Sequence, residues 1–459
     1  MLFREVLDRF VKESPVSVMV RATLEHTLTA EFLDQLFREH AVRQRESTLL
    51  FSTIVDLMTL VVCGVRPSIN AAYQARPEEI GVAVKSVYNK INGVETQVSQ
   101  QLVRQTAQRM QAIVRDLKVE FPALVPGYRT RILDGNHLAA TEHRLQELRV
   151  VGGGPLPGQA LVTLDGDTRM VLDVFPCEDA YTSERLLLLE LVETIRAGEL
   201  WIADRNFCTP LFVWEVAARS ACFLVREHAT NLNWDAAGPR RYVGRSDKGA
   251  VYEQPVRLLD GHGSTLAARR ITIVLDEPTA DGDRELHLLT NLPPAVDALT
   301  AATAYRGRWR IEGAFGELAA VLASEIDTLA YPAAALFAFC LSLVAYNLLR
   351  VVRAALASVH GVETVEKKVS SYYLAVELGA TWRGLLIAVP PEFWEAEYGS
   401  LSTPDLAAHL KLLASGVKLS QFRKHVRGPK KPPPRRTPTQ RNPHVSTARI
   451  IARRKSRCS

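Results

Sequence analysis

Apolar residues recur every three or four positions through the first 118 residues of the chain. "AEFLDQLFREHA" (30–41) and "ETQVSQQLVRQTAQRMQAIVRDL" (95–117) each carry one apolar stripe, the pattern of a helix with a single buried face. Between them, Pro67, Pro77 and Gly93 cut the chain into shorter helical pieces. From about 119 the pattern changes. "YRTRILDGNHL" is a strand-like apolar step ending at Asp134, and "QALVTLDGDTRMVLDVFP" predicts two strands joined by a turn at Asp165-Gly166-Asp167. "SERLLLLELVETIRA" (183–197) predicts a helix capped by Ser183. "ELWIADRNF" predicts a buried strand ending at Asp204, followed by a helix in "TPLFVWEVAARS" and a strand in "ACFLVREH". This order of strands and helices calls for a mixed α/β sheet with helices covering it. Residues 230–298 break into short strands separated by Gly, Asp and Pro, a β-rich insertion. Helix resumes near Ala298, and further helices follow Pro332 to about Ser415, with no internal repeat.

A chain of 459 residues is expected to form two to four domains, and 47% hydrophobic with 23% charged residues is globular composition. The start, "MLFREVLDRFVKES", contains acids and does not resemble a secretory leader. The uncharged run Tyr331 to Leu349 approaches membrane-spanning length. It carries Pro332, Ser342, Tyr346 and Asn347, so a helix buried against a sheet is expected and a membrane span is the lesser reading. Six scattered cysteines without a CxxC pair disfavour a zinc site or a disulfide framework and suit a reducing cytosol.

The net charge of +6 is unevenly spread. No acidic residue follows Asp405, and 14 of the 56 Lys and Arg lie from Lys418 onward, so the preceding body is net acidic. Residues 416–459 are therefore expected to be a proline-rich, basic, disordered tail, either attracted to phosphate or merely solubilising.

The candidate chemistry centres on "YRGRWRIEGAFGEL" (305–318). On one helix, Tyr305, Arg308 and Glu312 share a face, offering a ring, a phosphate-binding fork and an acid. The plainer reading is an exposed Arg308–Glu312 ion pair of little value. Arg306, Arg310 and Trp309 fall on other faces, and packing is expected for Trp309. Asp134 and Asp204 stand at strand ends, where the reactive crevice of open α/β sheets lies. Two aspartates and a glutamate could gather oxygens on hard cations, and their mutual repulsion makes the cluster costly without a metal. His137 reads as structural, and Asp165 and Asp167 as turn formers. Asp173 is expected on a solvated strand face. Arg205 either orients Asp204, contacts DNA or forms a local salt bridge. "VAVKSVYNKING" could be a recognition-type helix with Lys85, Ser86, Tyr88, Asn89 and Lys90 facing out.

These residues resemble a family. "DGNHL" around Asp134, "IADRNF" around Asp204 and Tyr305–Arg308–Glu312 in "Y-x2-R-x3-E" spacing, around a β insertion ending in "ELHLLTNLPP", are similar to the IS4-family DDE transposases. The resemblance covers roughly 120–350. It implies an RNase H-like mixed sheet split by a β-rich insertion, with helical N- and C-terminal regions. It implies Asp134, Asp204 and Glu312 as ligands of two Mg²⁺ ions, with Mn²⁺ as a substitute, and Tyr305 and Arg308 as holders of the DNA end. It also implies cut-and-paste transposition of an insertion sequence, by hydrolytic cleavage and strand transfer. The family pattern has a lysine seven residues after the glutamate, where this chain has Ala319.

The expected organisation is a helical DNA-binding region at 1–118, a catalytic domain at 119–350 with its insertion at about 230–298, a helical region at 351–415 that helps form a dimer, and the tail. The expected partners are double-stranded DNA with terminal inverted repeats, target DNA and a second copy in a synaptic complex, with no membrane. The expected location is a bacterial cytoplasm at the nucleoid. A catalytically inactive DNA-binding derivative and a related metal-dependent nuclease are the alternatives.

Overall fold

The computed structural model describes residues 2–45, 48–279, 282–425 and 444–458. Its centre is a mixed sheet of ten strands. Strand β1 (Arg129–His137) lies third from one edge. After the short β2 (Gly154–Leu156) come β3 (Gln159–Asp165) and β4 (Val171–Cys177), an antiparallel hairpin placed on one side of β1. On the other side β5 (Glu199–Ala203) and β6 (Cys222–Arg226) run parallel to it. Asp165 closes the hairpin: its Oδ1 accepts the backbone N–H groups of Asp167 (3.1 Å) and Thr168 (2.8 Å). The strand order β4-β3-β1-β5-β6 with helices over both faces is the RNase H-like mixed α/β arrangement that was expected.

The sheet continues into the β-rich insertion. Strands β7 (Asn233–Ala236), β8 (Arg241–Ser246), β9 (Gly249–Leu259), β10 (Thr265–Leu275) and β11 (Glu285–Thr290) follow in sequence, and β11 pairs antiparallel with β6. The insertion therefore extends the central sheet by main-chain hydrogen bonds. It returns the chain to helix Ala298–Arg306, whose N-cap Asp297 accepts the Thr300 N–H at 2.8 Å.

Alternation along the strands separates two cores. Ile132, Leu200 and Ile202 belong to a large helical core, while Leu133, Trp201 and Ala203 belong to a smaller one on the opposite face. The large core contains the long helices Thr96–Asp116 and Pro332–His360, and it also draws in residues from Leu7 to Phe422. The helices before and after the sheet thus share one hydrophobic interior. The apolar stretch of helix Pro332–His360 is buried within the chain throughout. Asn347, fully buried, stitches this helix to β4: its Oδ1 accepts the Val171 N–H (2.9 Å) and its Nδ2 donates to the Val171 carbonyl (2.7 Å).

Three local expectations are corrected. Asp173 is buried, because helix Thr96–Asp116 covers its face of β4, and it accepts a bond from Arg104 Nε at 2.9 Å. Lys90, in helix Val84–Asn92, also turns inward, with Nζ 4.1 Å from the Phe37 ring centroid and 3.2 Å from the Arg45 carbonyl; Lys85, Ser86 and Asn89 remain exposed. The tail is not irregular throughout. Residues 426–443 lie outside the described residues, but β12 (His444–Ser446) pairs parallel with β2 and helix Thr447–Cys458 follows. Asp179 anchors this piece, accepting from Ser446 Oγ (2.7 Å) and Arg449 Nε (2.6 Å). Ile450 and Ile451, set among the basic residues, pack on Leu145, Leu148 and Ala330. Net basic composition concealed this small apolar face.

Candidate active site

Parallel pairing of β1 with β5 sets Leu133 opposite Ala203. The next residue on each chain, Asp134 and Asp204, therefore emerges side by side at neighbouring positions of the sheet. Asp204 is still extended (φ −78°, ψ −176°), so the two-residue period carries both aspartates to the face of Ile132 and Ile202. Helix Trp309–Val321 packs on that same face through Ile311, Ala314 and Leu318, and it carries Glu312 in its first turn.

Tyr305 to Glu312 is not one uninterrupted helix. The helix Ala298–Arg306 ends at Gly307, and the next begins at Trp309. Gly307 suits the junction because a Cβ there would stand 2.7 Å from Leu124 Cδ2 and 2.8 Å from the Ala304 carbonyl oxygen. Arg308 keeps helical angles (φ −53°, ψ −38°), so its spacing to Glu312 survives. Its guanidinium bridges two of the acids: Nη1 donates to Asp134 Oδ2 at 2.7 Å and Nη2 to Glu312 Oε1 at 2.5 Å. The pair is not the exposed ion pair of the plainer reading, since the Arg308 side chain is only 12% exposed. Asp204 makes no ion pair with a described residue, and its Oδ1 accepts the Asn206 N–H at 2.8 Å.

The electrostatics follow. Burial raises the Asp134 carboxyl; Arg308 opposes this, and the negative charges of Asp204 and Glu312 add to it, leaving it at about 6. Tyr305 is buried at 6% exposure within the large core, and burial pushes its phenol up to about 12. Its hydroxyl lies against Arg308. The ring is therefore unavailable for stacking on a base. Trp309 departs in the other direction: it is 64% exposed, with Arg308 Cζ 5.6 Å from its ring centroid. It lies on the helix face opposite Ile311, away from the core. Arg306 pairs with Asp247 of the insertion, and Arg310 donates to the Gly166 carbonyl.

Sequence reasoning missed Glu184 and Asn206. Glu184 opens helix Glu184–Leu191, and its Oε2 accepts from Asn206 Nδ2 at 2.5 Å, two residues beyond Asp204. An acid in a first helical turn is ordinary, so nothing local marked it.

The donor set around Asp134, Asp204 and Glu312 is entirely carboxylate oxygen, the chemistry that suits Mg²⁺. The repulsion felt at Asp134 is what an added cation would relieve. As arranged, no three Asp, Glu, His or Cys side chains among the described residues stand close enough to hold a metal ion, and the guanidinium lies between two of the acids. The donors fit a divalent cation in kind, with Arg308 sharing their charge.

A comparison with curated proteins found no match. Among solved structures, a piggyBac transposase synaptic complex with hairpin DNA, determined by cryo-EM, aligns with 88% of this chain and 86% of its own, at 9% identity and a TM-score of 0.39. That likeness is too low to carry an argument. Residues 126–348, the span containing all five predicted site residues, match the family model described as the transposase DDE domain, which supports reading the protein as a DDE transposase.

Proposed function

We propose that this protein is an insertion-sequence transposase of the IS4 type, which cuts DNA at the ends of its element and joins the freed ends to a target. The observation that carries the reading is the side-by-side emergence of Asp134 and Asp204 from parallel strands, facing the helix of Glu312. Asp134, Asp204 and Glu312 would hold divalent metal, with Mg²⁺ the natural ion and Mn²⁺ a substitute. Bound there, the metal would activate the attacking hydroxyl and stabilise the leaving oxygen.

The chain's own residues supply the rest. Arg308, already directed at the acids, offers a planar fork for a DNA phosphate oxygen and lowers the cost of bringing that anion to a carboxylate-lined crevice. Tyr305 holds Arg308 from the core side through its hydroxyl. Trp309 presents an indole beside Arg308 on which an unpaired base could stack. Two DNA ends must be paired before joining, so a homodimer on terminal inverted repeats is the natural working form. Action on genomic DNA implies a place at the bacterial nucleoid.

The test is cleavage of a linear duplex carrying the inverted repeats that flank the coding region. Wild-type protein with Mg²⁺ should nick at the repeat ends, and Asp134→Ala, Asp204→Ala and Glu312→Ala should each abolish nicking. Cleavage that survives Asp134→Ala would end the assignment. One observation favours a second reading, an inactive derivative: Ala319 stands exposed where the family pattern has a lysine. Absence of cleavage on the cognate repeats, with binding intact, would support that reading. Strand transfer from pre-cut ends separates a transposase from a nuclease that only cuts.

A further inference from the structure

Outside the three acids, the Glu184 carboxylate borders the acid site from the opposite face of the sheet, because its helix packs on the smaller core through Leu188 and Leu191. Glu184 reaches toward both aspartate-bearing segments. On one side its Oε2 accepts from Asn206 Nδ2 at 2.5 Å, and Arg185 Nε donates to the Asn206 carbonyl at 3.0 Å, so the start of helix Glu184–Leu191 grips both the side chain and the backbone of Asn206. The Asn206 N–H is the donor to Asp204 Oδ1, so this grip fixes the turn that aims Asp204. On the other side Glu184 lies over Gly135. A Cβ built at Gly135 would stand 2.0 Å from Glu184 Oε1 and 2.6 Å from its Cδ. Gly135 does not have positive φ, so its lack of a side chain serves proximity and not backbone conformation.

We propose that Glu184 is a positioning residue for the acid site: it locks the Asn206 turn so that Asp204 faces Asp134, and position 135 is glycine because any side chain there would push the Glu184 carboxylate away. The inference rests on the reading of Asp134, Asp204 and Glu312 as metal ligands. Glu184 occupies the outer layer, where a hydrogen bond orients a ligand without being one, a role whose loss costs roughly 10–100-fold in metal affinity.

The experiment is calorimetric titration of the full-length protein with Mn²⁺ alone, paired with thermal denaturation to establish that each variant is folded. Glu184→Ala should weaken Mn²⁺ binding by about tenfold or more. Glu184→Gln, which keeps an acceptor for the Asn206 amide but loses the charge, should recover most of that loss. Gly135→Ala should imitate Glu184→Ala, and the two together should be no worse than either alone, because the second change has no carboxylate left to displace. Gly135→Ala also supplies the test if Glu184→Ala does not fold. Unchanged binding in Glu184→Ala overturns the proposal. Equal loss in Glu184→Gln and Glu184→Ala also overturns it, because charge and not the grip on Asn206 would then be the cause. Asp204→Ala distinguishes the two levels. If it leaves Mn²⁺ binding intact, the metal reading itself fails. If it abolishes binding while Glu184→Ala does nothing, only the role of Glu184 falls.

Discussion

Arg308 Nη1 stands 2.7 Å from Asp134 Oδ2, joining residues 174 positions apart, while the other terminal nitrogen of the same guanidinium holds Glu312. The arginine therefore balances charge in a crevice that would otherwise contain only acids. Removing it leaves half-buried carboxylates uncompensated. Arg308→Ala is expected to lower stability by about 1–3 kcal/mol in EDTA, and by less in Mg²⁺ if a cation takes over the same charge. Urea denaturation midpoints in both buffers check this, and equal midpoints for variant and wild type in EDTA would refute it.

Asp134 makes the opposite prediction. Its folded pKa of about 6 lies above the unfolded value, so its contribution is fully present below about pH 4 and is lost as pH rises through 6. The metal-free wild type should lose stability between pH 5 and 7.5 relative to Asp134→Asn. At pH 7.5 the variant should be the more stable by roughly 1–3 kcal/mol, while cutting no DNA. Denaturation at the two pH values tests the sign.

Glu366 behaves as a half-buried anchor. Burial would raise its carboxyl, but Arg350, Arg353 and Arg169 outweigh burial and hold it at about 2. A depressed carboxylate stabilises the fold above its unfolded pKa, so this contribution should be lost as pH falls from about 4.5 to 2. Glu366→Gln should cost about 2–3 kcal/mol at pH 7, and denaturation across the acid range should show the difference from wild type closing toward pH 2.

Asn347→Leu should be among the most damaging changes far from the site. It strands the N–H and carbonyl of Val171 in the core, and leaving both without partners costs about 2–4 kcal/mol together. The destabilisation should appear in thermal denaturation, together with faster amide exchange in β4.

Removing residues 444–459 should uncover Leu145, Leu148 and Ala330 and lower the melting temperature. If the basic helix meets DNA, the truncated chain should also show a flatter salt dependence of binding, by up to about one unit of slope for each phosphate the helix had neutralised. An unchanged slope would assign the helix to packing alone.

The periodicity of the sequence determined the elements. The strand leading to Asp204, the turn at Asp165-Gly166-Asp167, the β-rich insertion and the buried helix containing Asn347 could all be read from it, because alternation and turn chemistry are local properties; the strand expected to end at Asp134 runs on to His137, held there by its pairing with β3. The order of the motifs singled out Asp134, Asp204, Arg308 and Glu312 as candidates, and the fold sets Arg308 against Asp134 and Glu312. What periodicity does not record is which faces become covered. Asp173 and Lys90 looked solvated and are buried, Trp309 looked packed and is exposed, and Ile450 with Ile451 gives a basic segment a place to dock. Glu184 carries no local signature at all. Its meaning comes from a hydrogen bond to Asn206 and from the space left by Gly135, and only the pairing of β1 with β5 brings those two positions to the same carboxylate. Sequence spacing specifies where a side chain points along its own element, whereas the packing of distant elements decides what it meets.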